Sequence, residues 1–267
     1  MTAAFAATVR QLSLNMVHRA RASHIGSALS IADLVASLYN KVLTVDASNP
    51  DCPNRDRFIL SKGHACVAVY AALAIRGFIT IEELNSYGRD HSRLMNHISH
   101  RVPGVEFSTG SLGHGLPFGV GKAFAAKAQS QAWKTFVLMS DGELGEGSNW
   151  EAFLFAAHHR LDNLVVIIDY NKLQSLTTVQ KTLNLEPLAE KLSSFGLVTR
   201  EVDGHDHQQV ESLLLSAPWV KDKPSVLIAH TVKGKGVSFM ENSIEWHYKS
   251  PNDEQLKRAL LEIEILS

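Results

Sequence analysis

Asp141 and Asn171 lie thirty positions apart, and each closes a run of apolar residues. Asp141 ends Phe136-Val-Leu-Met-Ser-Asp-Gly142, and Asn171 ends Val165-Val-Ile-Ile-Asp-Tyr-Asn171. Short continuous apolar runs of this kind read as strands buried on both faces. The stretch between them, Asn149 to Arg160, has helical character, so the segment predicts one βαβ unit. Ligands of such sheets bind outside the carboxyl ends of the strands. Carboxylate, amide and backbone oxygens gathered there suit a hard cation such as Mg²⁺, which would in turn hold a phosphorylated ligand. The plainer alternative is a helix cap at Asp141 and a turn residue at Asn171. Gly142 favours the ligand reading, because it lets a phosphate approach the backbone. Glu143 and Glu146 add two carboxylates in the next turn, which beside a phosphate call for a metal or another protonic partner.

Histidines supply the second set of candidates. Of the 13 in the chain, His24, His64, His97, His100, His114 and His247 fall in glycine-bearing or irregular segments. One loop histidine is ordinarily a solvated surface residue. Several in glycine-flanked loops suggest a shared site, since imidazole transfers protons near neutral pH. Zinc is disfavoured: His97 and His100 are three apart and His158 and His159 adjacent, but no Cys or His-Glu-x-x-His pattern completes a set. Lys233-Gly-Lys-Gly236 lacks the glycine spacing and following hydroxyl of a nucleoside-triphosphate loop, so it is expected to be a basic surface turn. Trp150, Phe153 and Phe155 read as core residues of their helix.

The elements that must carry these groups follow from periodicity. Helical spacing runs through Val9, Leu12 and Met16, then Ile31, Leu34, Val35 and Leu38. A strand is expected over Arg57–Leu60, a turn over Ser61–His64 and a helix over Ala65–Arg76. Residues 85–118 form a long histidine-bearing loop, of the sort that is usually functional. Helices are expected over Gly119–Lys127, about Glu186–Phe195 and Gln208–Ser216, and strands over Val198–Val202 and Ser225–Ala229. No linker or repeat divides the chain. The expectation is a single α/β domain over residues 1–267, a doubly wound, mostly parallel sheet with helices on both faces.

Bulk properties exclude several classes. With 45% hydrophobic residues the chain can bury a sizeable core. A net charge of −1 gives no electrostatic reason to expect nucleic acid or an anionic membrane. No apolar run approaches the roughly 20 residues of a membrane span. Two cysteines, Cys52 and Cys66, form neither a metal spacing nor a disulfide framework, which fits a cytoplasmic protein. The acid-free first 32 residues superficially resemble a transit peptide but are read as the first helix of the mature fold.

Taken together, these residues resemble thiamine diphosphate enzymes, specifically the N-terminal half of transketolase. The resemblance rests on Ser140-Asp-Gly142 with Asn171, and on Gly142-Glu-Leu-Gly-Glu-Gly147 with Trp150-Glu-Ala152. It extends to Ser23-His-Ile-Gly26, Ser61-Lys-Gly-His64, Ser108-Thr-Gly-Ser-Leu-Gly113, Asp203-Gly-His-Asp206 and Trp246-His247. These occur in the family's order from about residue 10 to 260. The resemblance implies that Asp141, Asn171 and the carbonyl of Leu173 bind Mg²⁺ or Ca²⁺ together with the diphosphate of thiamine diphosphate. It places His64 and His247 near the diphosphate, with Gly142, Glu143 and Asn171 around it, and Leu112 and Gly113 against the aminopyrimidine. His24 and His97 would contact sugar hydroxyls and, with His247, assist proton transfer, while Glu146 would join a carboxylate network between paired active sites. His100 competes with His97. The cofactor itself carries the carbon–carbon chemistry.

Ser23, Ser140, His114, Tyr170 and Tyr248 stand where the family commonly has other residues; Ser140 requires a negative φ. The family's cofactor-activating glutamate belongs to a pyrimidine-binding domain, which is expected to lie outside these 267 residues. The resemblance therefore implies the N-terminal subunit of a split transketolase, acting on sugar phosphates with a separate C-terminal subunit carrying the pyrimidine domain, two copies of each. Subunits of 2-oxoacid dehydrogenases or synthases, and a non-catalytic cofactor-binding module, are the competing readings.

Overall fold

The computed structural model describes residues 2–265. Five strands, β1 (Arg57–Leu60), β2 (Thr135–Ser140), β3 (Leu164–Tyr170), β4 (Val198–Asp203) and β5 (Ser225–His230), form one sheet in the order β1-β2-β3-β5-β4. All four pairings are parallel. The helices are α1 (Thr2–Ala20), α2 (Ile25–Ser30), α3 (Ala32–Ser37), α4 (Cys66–Ile75), α5 (Gly115–Ala128), α6 (Gly147–His158), α7 (Val179–Thr182), α8 (Leu188–Ser194), α9 (His207–Leu215) and α10 (Asp253–Ile265).

Every residue of β2 and β3 is buried, as continuous apolar strands covered on both faces require. Alternation divides their side chains between two cores. Phe136, Leu138, Val165 and Ile167 pack with α1, α3, α4 and α9, while Val137, Met139, Val166 and Ile168 pack with α5, α6 and α8. The sheet is thus doubly wound, in agreement with the sequence. The chain steps one way from β1 through β4 and reverses to place β5 beside β3. Right-handed crossovers then put α5, α6 and α8 on one face and α9 on the other. After β3 and β5 the chain departs to opposite faces, toward α8 and α10 respectively. That divergence opens a crevice at the carboxyl edge, where ligands of such sheets bind.

Helix α10 has no counterpart among the expected elements. Only Ala259 and Ile263 of it are buried, too thin a stripe to give apolar periodicity. The aromatic expectation for α6 needs correction: Phe153 is buried, Trp150 half-buried, and Phe155 exposed beside Phe124 and His159. Residues two apart cannot share one helix face.

Candidate active site

The carboxyl ends of β1, β2, β3 and β5 converge on a cavity of about 250 Å³. Asp141 and Asn171 form part of its wall. Asp141 caps a short turn over Gly142–Gly145, its Oδ1 accepting the Gly142 amide at 2.6 Å and its Oδ2 the Lys172 amide at 2.5 Å. The capping alternative is therefore also real, and it leaves each oxygen a further lone pair. Asn171 donates through Nδ2 to Asp169 Oδ2 at 3.0 Å and Ser30 Oγ at 3.2 Å, and its Oδ1 accepts the Leu173 amide at 3.0 Å. Lys172 adopts a left-handed conformation (φ 65°), turning the chain so that Leu173 also lines the cavity. Ser140, the departure from the family's glycine, is not among the residues with positive φ.

These residues fit a hard divalent cation. Asp141 is buried, and no Lys, Arg or His side chain forms an ion pair with it among the described residues. Burial first, and then the neighbouring Asp169, push its carboxyl up to about 7. The available donors are a carboxylate, an amide oxygen and a carbonyl, all oxygen. No group of three or more His, Cys, Asp or Glu side chains is poised for a metal among the described residues, so a thiophilic or His-rich site is not formed. One carboxylate completed by ligand phosphates is the usual arrangement for Mg²⁺.

The opposite wall is made of imidazoles. The His24 ring centroid lies 5.1 Å from His64, 5.0 Å from His247 and 5.8 Å from His97. His24 precedes α2 with φ 73°, and its amide donates to the His247 carbonyl at 2.7 Å, which binds the two segments together. Burial, then the cations and imidazoles nearby, lower His24 to about 4 and His247 to about 3, and hold His64 well below its ordinary value. All three are neutral at pH 7, able to donate at one nitrogen and accept at the other. His97 reaches this cavity, whereas His100 is held away by Ser108 Oγ at 2.6 Å from its Nδ1. Tyr248 stands at the mouth, 4.8 Å from the His247 ring.

Two lysines complete the cavity. Lys233, expected on a basic surface turn, is instead 2% exposed. Its amine donates to the carbonyls of Leu173 (3.2 Å) and Gln174 (3.0 Å) and meets His247 Nδ1 at 3.0 Å. Burial, and then Lys62, lower it to about 8. Lys62 is buried and paired with Asp169. Both bring positive charge to the crevice, as a diphosphate requires. The one sequence signal for Lys233 was its place just beyond a buried strand, at the same sheet edge as Asp141.

Other candidates lie outside the lining. Glu143 is fully buried, accepting from Ser61 Oγ at 2.5 Å and the Gly113 amide at 2.9 Å. Its carboxyl is pushed up by burial. It braces the loop holding Leu112, which does line the cavity. Gly113 requires φ 82°, and a Cβ there would lie 2.7 Å from Glu146 Cβ. Glu146 and His114 are exposed and away from the cavity.

Known proteins resemble this chain over nearly its whole length. The family model for the transketolase thiamine diphosphate-binding domain matches residues 1–261. A Phocaeicola vulgatus protein named as one subunit of an apulose-4-phosphate transketolase is 41% identical over 95% of this chain and 90% of its own length. The 6-deoxy-6-sulfo-D-fructose transketolase subunit SqwG of a Clostridium species is 38% identical over 96% of this chain and 94% of its own. The crystal structure of Campylobacter jejuni transketolase superposes with a TM-score of 0.93 at 32% identity, over 98% of this chain. The chain spans 43% of that enzyme. This chain belongs to the transketolase family, as an N-terminal, thiamine diphosphate-binding transferase subunit.

Proposed function

We propose that the whole chain, 1–267, serves as the diphosphate- and metal-binding domain of a cytoplasmic two-subunit transketolase. The assembly would hold two copies of this subunit and two of a C-terminal subunit carrying the pyrimidine domain. It would move a two-carbon ketol unit from a ketose phosphate to an aldose phosphate. The observation that carries this reading is the single crevice shared by Asp141, Asn171 and Leu173, neutral His24, His64 and His247, and buried Lys62 and Lys233.

In this reading Asp141, Asn171 Oδ1 and the Leu173 carbonyl hold Mg²⁺ or Ca²⁺. Gly142, His64, Lys233 and His247 surround the diphosphate, while Leu112 and Gly113 meet the aminopyrimidine. Thiamine diphosphate, when bound, supplies carbanion stabilisation. The protein's share is positioning and proton handling. His24 and His97, whose rings meet edge-on with centroids 5.8 Å apart, bind sugar hydroxyls and pass protons at oxygen, with His247 beside them. Glu146, exposed in this chain, would join carboxylates of the neighbouring subunits, and Glu143 would act through the Gly113 loop.

The test is reconstitution. The chain with its C-terminal subunit, thiamine diphosphate and Mg²⁺ should transfer a ketol unit from xylulose 5-phosphate to ribose 5-phosphate or to a related pair, and neither subunit alone should. Full-rate transfer by this chain alone would refute the two-subunit reading. Transfer insensitive to Asp141→Ala would refute the metal assignment.

A further inference from the structure

Asp169 is a fully buried carboxylate that the roles above leave unused. It belongs to β3, two residues before Asn171, and strand alternation puts both side chains on one side of the sheet. Its Oδ1 accepts Ser30 Oγ at 2.7 Å and also Thr231 Oγ1, and its Oδ2 accepts Lys62 Nζ together with Asn171 Nδ2 at 3.0 Å. An ammonium, two hydroxyls and an amide N–H, all of them donors, thus close on its two oxygens.

An ionised carboxylate only accepts hydrogen bonds. Facing Asp169, the Asn171 amide must therefore present its NH₂, because the flipped amide would set oxygen against oxygen. The Leu173 amide N–H, on the other side, demands the oxygen of the same group. The side chain is fixed from both sides, with its oxygen turned toward the strand-end loop and the cavity. A purely structural ion pair would not need this geometry, since Ser30, Thr231 and Lys62 already supply three donors.

We propose that Asp169, paired with Lys62, is a positioning residue that fixes the Asn171 amide so that oxygen rather than nitrogen meets the cation. The inference rests on the reading of Asp141, Asn171 and Leu173 as cation ligands. Groups that orient a metal ligand typically change metal affinity about 10- to 100-fold when removed.

The test uses Mn²⁺ as probe, titrated by the electron paramagnetic resonance of free Mn²⁺, on the complex with its C-terminal subunit at saturating thiamine diphosphate. Asp169→Asn should weaken Mn²⁺ binding about 10- to 100-fold. Because that change leaves Lys62 buried without a counter-charge, the paired variant Lys62→Met with Asp169→Asn is made as well; removing both charges together is commonly tolerated. It should melt near the wild-type temperature and show the same loss. Adding Asn171→Asp to it supplies a ligand whose two oxygens are equivalent, so orientation no longer matters, and affinity should recover most of the loss. Unchanged Mn²⁺ affinity in the folded paired variant, or no recovery on adding Asn171→Asp, would overturn the proposal. Failure of the parent reading looks different: Asp141→Ala would then leave the Mn²⁺ titration of the wild-type complex unaltered, and the proposal would fall with it.

Discussion

His205 Nδ1 meets Asp33 Oδ2 at 2.7 Å while its Nε2 accepts the Val232 amide at 2.9 Å. A ring nitrogen that accepts an N–H carries no proton, so Nδ1 is the donor and the tautomer is set. The same carboxylate takes the Arg10 guanidinium and His207 Nε2 at 2.9 Å. One buried acid thereby joins α1, α3, the start of α9 and the residue before Lys233. This accounts for the Asp203-Gly-His-Asp206 motif, whose histidine is remote from the cavity yet bonded to the backbone that carries Lys233.

Removing that acid should be costly. Breaking a buried ion pair from one side commonly costs about 3–5 kcal/mol, so Asp33→Asn should lower the urea-unfolding stability at pH 7 by about 3 kcal/mol. Burial opposes ionisation of Asp33, but His205, His207 and Arg10 hold its carboxyl far below the ordinary range. A depressed folded value stabilises above the unfolded value of about 4 and is lost as pH falls below it. The advantage of wild type over the variant should therefore shrink between pH 4 and pH 2. An equal advantage across that range would contradict the assignment.

The cavity histidines act in a different window. His24, lowered to about 4, and His247, lowered to about 3, are neutral in the fold but take up protons near pH 6.5 once unfolded. The unfolded state then binds more protons, so stability falls as pH drops from about 6.5 toward 4. Proton NMR of the two imidazoles should show no titration between pH 8 and 5. Midpoints near 6.5 would mean that burial is not what keeps them neutral.

Gly63 couples packing to the cavity. A Cβ there would lie 2.2 Å from the Thr109 carbonyl oxygen, in a segment whose hydroxyl also bonds the Leu60 carbonyl. Gly63→Ala must push the Thr109 strap away, at about 1–3 kcal/mol. Because His64 and Leu112 flank this contact, thiamine diphosphate affinity should fall along with the melting temperature. A variant of native stability and affinity would show that the strap yields freely.

What was legible in the sequence depended on how locally each feature is determined. Asp141 and Asn171 could be placed because a short all-apolar strand fixes both its burial and the end at which its last residue appears. The two-sided cover follows from the same runs, whereas the strand order β1-β2-β3-β5-β4, with β5 inserted between β3 and β4, does not. Lys233 could not be placed: its burial is decided by the Leu173 and Gln174 carbonyls and by His247, none of them near in sequence. Glu143 looked like a phosphate neighbour because the motif is compact, but the turn over Gly142–Gly145 rotates it inward to Ser61. Between His97 and His100 the decision belongs to the loop's path, where Ser108 captures one ring and leaves the other at the cavity.

Lys233 offers the sharpest separation of binding from stability. Its amine is buried among carbonyls and imidazole with no carboxylate bonded to it among the described residues. Desolvating an ammonium is unfavourable unless it is well paired. Lys233→Met keeps the volume and removes the charge, so the ligand-free chain should melt at the same temperature or higher. If the amine serves the diphosphate, the lost charge-assisted hydrogen bond is worth about 1.5–3 kcal/mol, and thiamine diphosphate should bind roughly 10- to 100-fold more weakly in the reconstituted complex with Mg²⁺. Isothermal titration gives the affinity and differential scanning calorimetry the stability. Opposite movement of the two supports a binding role; a drop in melting temperature with unchanged affinity would make Lys233 a strut for the Leu173–Gln174 turn instead.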